Sequence, residues 1–489
     1  MHFAFATDGR TFPRKDHLLV IAPKACFGPR GRGAAAIEKH LPAELADLAK
    51  ALGTEAAPGL LGGIATSRTT HGHRVTTAAL ADATSRHTTP ARAEAIRRVV
   101  AATSWKHDGD NAVLLVLDER EHVLPAVNAV ARALPTFTRK TGAKAAGSLT
   151  ILCALRNGTT VRVDAATIDV VRRAREAAEL VDTPPTELDP DELARRAKAV
   201  LRSLRGVTTR EFTGPALLKQ KLGGIHAVGR CARSAPRLVV ATCGPRGARR
   251  HVALVGKGVT YDTGGLHLKA RGNMETMKAD MGGAAATLGA FAALVARRPR
   301  CRLSLLLCLA ENAIGPAAYK PDDVLVMHSG KTVEINNTDA EGRLLLADGC
   351  SYAARVLGAD TILDAATLTG AQAVATGDLH AAVVSNDADV ERALLDAGRA
   401  SGDLTWPLPF APEFYRAEFA SPIADMRNSV KNRNNAQASC AAEFVHWHLE
   451  GTKARWGHVD LAAPAFRGDR GTGFGVALLV EAVLRLAQT

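Results

Sequence analysis

Residues 252–283 read VALVGKGVTYDTGGLHLKARGNMETMKADMGG: an unbroken apolar run, a Gly-rich polar segment, and the beginning of an Ala-rich helix former. The pattern predicts a strand ending at Gly256, a loop, and a helix opening beside Asp280. Open α/β sheets place ligands in the loops at strand ends, so the polar groups of this segment carry chemical weight. They are Lys257, Asp262, Lys269 and Asp280. Asp280 also has a purely structural reading, because an Asp ahead of a helix often caps it.

Working outward, apolar runs of strand length recur at 18–22, 113–117, 149–155, 238–242, 303–310 and 362–366, between stretches of helical pattern. Such alternation predicts an α/β protein with a central parallel or mixed sheet, and a run as continuous as 303–310 predicts burial on both faces. Residues 181–191, VDTPPTELDPD, hold three prolines and then an acidic helix start, a composition shift that marks a domain junction. The expected division is an N-terminal α/β domain over 1–165 and a catalytic α/β domain over 166–489, the latter built on a central mixed sheet flanked by helices. A chain of 489 residues is long enough for two or three domains.

Composition narrows the choice of partners. Lys and Arg number 62 against 49 Asp and Glu, a formal excess of +13, but no block of five basic residues concentrates it. A segment such as GPRGARR at 244–250 reads as a solvated loop. Aromatics at 4% disfavour a stacking platform, and a nucleic-acid partner is not expected. The eight cysteines form no C-x-x-C pair and read as reduced thiols of a cytoplasmic protein. The opening MHFAFATDGRTFPRKDH lacks the pattern of a secretory leader, and no apolar run approaches the roughly 18 residues of a membrane span, so neither export nor a membrane partner is expected.

A second segment, SGKTVEINNTDAEGRLLLAD at 329–348, spaces Asp339, Glu341 and Arg343 two apart. In extended backbone that spacing puts all three on one side. Carboxylates held together repel, and a divalent cation relieves the repulsion; the alternative is a solvated acidic turn with a local arginine. Four carboxylates in two segments suit Mg, Mn or a carboxylate-bridged Zn pair. Spacing alone leaves phosphatase, nuclease and peptidase open.

The segments VGKGVTYDTGG at 255–265, METMKADMGGAA at 274–285 and NTDAEGRLLLAD at 337–348 resemble the signatures of the leucyl aminopeptidase family of dinuclear metallopeptidases. The resemblance runs from about residue 182 to the C-terminal end and takes in DAATLTGA at 364–371. AENAIGP at 310–316, DMRNS at 425–429, HVDLAAPAF at 458–466 and GTGFGVALL at 471–479 are similar to the branch called aminopeptidase-like proteins. Residues 1 to about 165 show no visible likeness to the family's N-terminal domain.

The resemblance implies a metal-dependent aminopeptidase acting on short peptides, with two divalent ions, Zn or Mn, in each subunit. It implies that Asp262 and Glu341 bridge the ions, that Asp339 completes one site, and that Lys257 and Asp280 complete the other. Lys257 would bind as the neutral amine; without metal it is expected to be an ammonium paired with Asp262. A metal-bridging hydroxide would attack the carbonyl, Lys269 would hydrogen-bond the oxyanion, and Arg343 would hold a bicarbonate that shuttles the proton. The plainer readings are a surface lysine for Lys269 and, for Arg343, a salt bridge to Asp348 or to a bridging carboxylate. Met277, Thr367, Ala462 and Ala465 would line the pocket for the first side chain, and the Leu368 backbone would bind the peptide. Met277 reads equally well as core filler. Ala465 stands where other members carry Met, so a wider or differently shaped pocket is expected. A homohexamer of two stacked trimers is implied as well.

Two rival readings use the same residues. A two-metal phosphohydrolase or nuclease would suit the basic balance, but His251, His267, His328 and His458 are scattered and read as packed or surface imidazoles. GKGVT at 256–260 also lacks the full phosphate-loop pattern. The other rival is a non-enzymatic binder on a catalytic fold; keeping all five ligand residues together with Lys269 and Arg343 argues against it.

Overall fold

The computed structural model describes residues 1–28, 34–143, 146–245 and 247–488; Arg246, in the basic segment 244–250, lies outside the described residues. The chain forms two compact units, Met1–Val171 with Arg399–Gly402, and Arg172–Gly398 with Asp403–Thr489. It leaves the first unit within the helix Ala165–Asp182, before the Pro-rich stretch.

The first unit is a sheet of β1 (His2–Phe5), β2 (His17–Pro23), β3 (Gly63–Arg68), β4 (Arg74–Leu80), β5 (Asp110–Leu117), β6 (Ser148–Leu155) and β7 (Thr160–Val161). The order is β1-β6-β5-β2-β4-β3, with β7 on β6. Pairing is parallel except where β3 meets β4 and β7 meets β6. Along β2 the side chains alternate between two cores, Leu19 and Ile21 packing with Val99 and Val127, Leu18 and Val20 with Ile37 and Leu45. Both faces are covered, which is why the run 18–22 shows no polar alternation.

The second unit carries β8 (Thr208–Thr213), β9 (Arg237–Cys243), β10 (His251–Asp262), β11 (Arg302–Asn312), β12 (Val324–Val326), β13 (Thr332–Glu334), β14 (Thr361–Ala366), β15 (Ala381–Ser385), β16 (Thr405–Pro407), β17 (Met426–Arg427) and β18 (Arg455–Asp460). Eight of these form a mixed sheet in the order β16-β15-β18-β14-β10-β11-β9-β8, and β12-β13-β17 form a small one. β11, β10, β14 and β18 run parallel, so their C-terminal ends share one edge of the sheet.

Two expectations are corrected here. The central strand does not stop at Gly256: β10 continues to Asp262, and its register against β11 shifts between Val259 and Asp262. Lys257 is therefore a strand residue, and the irregularity re-aims the end of the strand at Asp262. A segment long and apolar enough to cross a bilayer also exists, Met277–Arg297, but 94% of its apolar window is buried inside the fold. It includes the helix Gly282–Arg297, which packs as a core element against the sheet.

That packing is close because glycines meet the neighbouring elements. A Cβ on Gly283 would lie 2.0 Å from the Ala365 carbonyl oxygen on β14, and one on Gly256 would lie 2.3 Å from Thr287 Oγ1. The contact draws the start of the helix, and Asp280 just before it, over the end of β10. Gly283→Ala is expected to cost about 1–3 kcal/mol, the usual scale of overpacking. The check is a fall in the thermal unfolding temperature; an unchanged temperature would show that the helix can lift away from β14. All eight cysteines are free thiols.

Candidate metal centre

Three chain segments meet at the C-terminal edge of the sheet. The end of β10 supplies Lys257 and Asp262. The short 3-10 turn Met277–Met281 supplies Asp280, and the residue before the helix Gly342–Arg355 supplies Glu341. Carboxylate oxygens of Asp262, Asp280 and Glu341 all lie within 4.8 Å of one another, and all three residues are buried. Neither Asp280 nor Glu341 is spent on capping: Met281 and Glu341 are the cap positions of the two helices, and neither makes a side-chain cap bond. Burial without a capping role leaves both carboxylates facing the cluster.

The two lysines are threaded between these acids. Lys257 Nζ donates to Asp280 Oδ1 at 2.8 Å and to the Thr367 carbonyl at 2.8 Å, and it lies 2.9 Å from Glu341 Oε1. Lys269 Nζ lies 2.8 Å from Asp262 Oδ2 and 2.5 Å from Asp339 Oδ1. The expected Lys257–Asp262 pair is thus corrected: Lys257 pairs with Asp280 and Glu341, and Lys269 takes Asp262. Lys269 is no loose surface lysine, since its side chain is 14% exposed. Gly342 makes room for this arrangement, because a Cβ there would fall 2.6 Å from Lys257 Nζ.

Asp339, Glu341 and Arg343 do not share one side of an extended strand. Asp339 sits in a turn, Glu341 has helical backbone, and Arg343 lies in the first turn of the helix Gly342–Arg355. Arg343 pairs with neither Asp348 nor a bridging carboxylate. Its Nη1 donates to the Asn428 carbonyl at 3.0 Å, its Nε is buried with no partner, and burial lowers its pKa to about 10. Asp348 instead accepts the backbone N–H groups of Ile225 and His328.

Electrostatics show what the cluster lacks. Four carboxylates face two ammoniums. Burial, then repulsion from Glu341, lifts Asp262 to about 6 and lifts Asp339; burial lifts Asp280 well above its ordinary value. Glu341 goes the other way, because Lys257 and Lys269 outweigh its burial. Lys257 is held as an ammonium: burial opposes the charge, but Asp280, Glu341 and Asp262 more than offset it. Asp280 Oδ2 and Glu341 Oε2 are buried without any hydrogen-bond donor. Hard oxygen donors, surplus negative charge and unpartnered buried oxygens together fit a divalent cation.

The groups open on a cavity of about 610 Å³. Met277, Thr367, Leu368 and Ala462 line it. Ala465 is not among its lining residues: it is buried, and its methyl would lie 3.2 Å from a Cβ on Gly282, so it packs behind the wall. Ala463 and Phe466 line the cavity in that region. The Leu368 N–H is already spent on Asp460 Oδ1 at 3.1 Å. The four histidines considered as ligands stand outside the cluster, His251 bonding Ser304, His267 Thr338, His328 Ser351 and His458 Asp364.

Sequence reasoning missed the residues that hold the ligands. Asn312, at the end of β11, donates to Asp262 Oδ1 at 2.8 Å and to the Thr338 carbonyl at 3.0 Å. Thr367, expected only as pocket lining, also donates from Oγ1 to Asp280 Oδ1 at 2.8 Å. Asn428 accepts the backbone N–H groups of Asn336 and Asn337 and donates to the carbonyls of Asn337 and Ala340, locking the turn that carries Asp339. Its place in DMRNS was the available signal, since a fully buried Asn must find partners.

An acid-lined centre at the C-terminal edge of a mixed α/β sheet defines a metallohydrolase architecture, and comparison with known proteins fixes which one. Residues 175–480 match the catalytic domain of the cytosol aminopeptidase family. Residues 35–143 match M17 aminopeptidase N-terminal domain 2, which overturns the expectation that the first 165 residues carry no such likeness. A Mus musculus protein named "Probable aminopeptidase NPEPL1" is 45% identical over 83% of this chain and 78% of its own length. Leucine aminopeptidase 1 of Caenorhabditis elegans is 43% identical over 81% of each chain. Among solved structures, the C. elegans leucine aminopeptidase superposes with a TM-score of 0.86 at 36% identity, covering 98% of this chain and 97% of its own. The Leishmania major leucyl aminopeptidase in complex with actinonin gives 0.89 at 35% identity, covering 99% and 94%. The chain belongs to the cytosol aminopeptidase (M17) family. It is a metal-dependent aminopeptidase of the leucyl aminopeptidase type, and neither the phosphohydrolase nor the non-enzymatic reading stands.

Proposed function

We propose that this protein releases the N-terminal residue of short peptides at a dinuclear centre held by Lys257, Asp262, Asp280, Asp339 and Glu341. The observation that carries the reading is the convergence of Asp262, Asp280 and Glu341, buried and threaded by Lys257 and Lys269, on one cavity. When bound, two Zn or Mn ions would supply a hydroxide nucleophile at neutral pH and Lewis acidity toward the scissile carbonyl. Asp262 and Glu341 would be shared between the ions, Asp339 would complete one site, and Lys257, as the neutral amine, would complete the other with Asp280. Lys269 hydrogen-bonds the developing oxyanion. Arg343 holds bicarbonate as the proton carrier; its buried, unpartnered Nε supports that role. With the Leu368 N–H taken by Asp460, the peptide meets the Leu368 carbonyl, and Met277, Thr367 and Ala462 receive the first side chain. This reading divides the chain into an N-terminal domain over 1–165 and a catalytic domain over 166–489. It places the protein in the cytoplasm, as the family's description suggests, and assembles it as a homohexamer.

The test is metal removal. Protein stripped with a chelator should be inactive and should regain activity on titration with Zn or Mn, saturating at two equivalents per chain. Uptake should weaken as pH falls: Lys257 must lose a proton to bind metal, and Asp262, raised to about 6, is increasingly protonated below that pH. Full activity at one equivalent would overturn the dinuclear reading.

A further inference from the structure

The excess positive charge has no block in the sequence, yet the fold gathers a large part of it at one place. Three segments without a single acidic residue come together at the sheet edge opposite the metal cluster: 203–208 (SLRGVT), the described residues of 244–250 (Gly244, Pro245 and 247–250), and 296–302 (ARRPRCR). β10, β11, β14 and β18 all begin at this edge, and the antiparallel β9 ends there, Cys243 facing Leu303. Arg302 N donates to the Arg250 carbonyl at 2.9 Å. A Cβ on Gly244 would lie 2.9 Å from the Cys301 carbonyl oxygen, and one on Gly206 would lie 3.9 Å from Cys243 Sγ, so the three segments are in contact.

Arg249 and Arg250 come from the second segment; Arg297, Arg298, Arg300 and Arg302 come from the third, and Arg205 from the first. Among the described residues none of these seven side chains forms an ion pair or a hydrogen bond, and Nε of Arg250, Arg297 and Arg302 is buried without an acceptor. The neighbouring carboxylate, Asp360, accepts the His251 backbone N–H at 2.5 Å and the Thr361 hydroxyl at 2.9 Å and pairs with none of these arginines. Guanidinium forks are matched to phosphate oxygens.

The same edge forms an open cavity of about 810 Å³, with an apolar floor that includes Leu204, Val295 and Leu303, and with Arg205, Arg298 and Ser203 in its lining. That volume lies within the range of small-ligand sites, about 300–1,000 Å³. Among the described residues no aromatic side chain lines it, so bases would find nothing to stack on, which disfavours nucleic acid. A second copy of the chain would bring like charge against like, which disfavours self-association through this face.

We propose that this cavity, through Arg205 and Arg298, binds a compact anion carrying two or more linked phosphate groups, at a site separate from the metal centre. Arg205 and Arg298 contact the ligand, and the remaining arginines supply the surrounding field. The proposal does not rest on the catalytic assignment. The test uses the metal-loaded full chain, with inorganic tripolyphosphate as probe and metal held in excess over the chelating capacity of the probe. Wild type should bind tripolyphosphate with an affinity that falls steeply with salt, and the ligand should raise the unfolding temperature. Arg205→Gln/Arg298→Gln should weaken binding at least tenfold with aminopeptidase turnover unchanged. Equal binding by the double variant would place the anion elsewhere, for instance at the metal centre, and overturn the proposal. So would absence of binding by wild type, or binding of a duplex oligonucleotide in preference to tripolyphosphate.

Discussion

Asp339→Ala is expected to reduce cleavage of aminoacyl amides by more than about 100-fold, the scale on which disturbing metal ligation is felt, while leaving the fold intact. The structure explains why the two effects separate. Asp339 lies in a turn at the cavity, its side chain is 36% exposed, and its partner is Lys269 rather than a core group. The turn itself is held by Asn428 through the backbone of Asn336, Asn337 and Ala340, contacts that the substitution leaves alone. The informative measurement is a panel of aminoacyl amides, each with its N-acetylated counterpart, assayed with wild type and variant in defined Zn or Mn. Wild type should cleave only the free amines, because acetylation removes the lone pair that an ion would hold. Equal cleavage of blocked and free substrates would sink the amine-anchoring role, and full activity in the variant would remove Asp339 from the ligand set.

How much of this was readable beforehand depends on the kind of residue. Apolar runs at 18–22, 303–310 and 362–366 mark strands buried on both faces, and burial on both faces needs no partner information. β18 was not legible, because RWGHVD looks like surface: Trp456 Nε1 and His458 Nδ1 are instead satisfied inside by Asp364, at 2.6 and 2.5 Å. The metal cluster was legible as residue types, whereas its backbone was not. Spacing of two suggested extended chain for Asp339, Glu341 and Arg343, but a helix starts at Gly342 and rotates Arg343 toward Asn428. The end of β10 was misplaced for a related reason: GKGVTYD reads as a loop by composition, but Gly256 is there to admit a helix. The described residues of 244–250 form a loop, as their composition suggested, but its closeness to 203–208 and 296–302 was not legible, since these segments lie far apart in sequence and only the sheet brings them together.

Lys269→Ala is expected to lower kcat by about 10²–10³-fold, the cost of losing one donor to a developing oxyanion, with little change in KM. Metal content should stay at two ions per chain. The charges in the structure set that second expectation. Lys269 bridges Asp262 and Asp339 at 2.8 and 2.5 Å, so in the metal-free protein it competes with a cation for the same oxygens. Removing it leaves Asp262, Asp280, Asp339 and Glu341 with Lys257 as their lysine counter-charge, a more negative site that should hold divalent ions at least as tightly. A structural role predicts the reverse, since carboxylates that lose their ammonium would repel and the turn carrying Asp339 would loosen. Metal analysis of the purified variant, together with kcat and KM measured at saturating metal, separates the two. Slow turnover with both ions bound fits a donor acting in the transition state. Loss of both ions, or recovery of wild-type turnover when more metal is added, would make Lys269 a scaffold for the ligands and end its assignment to the chemistry.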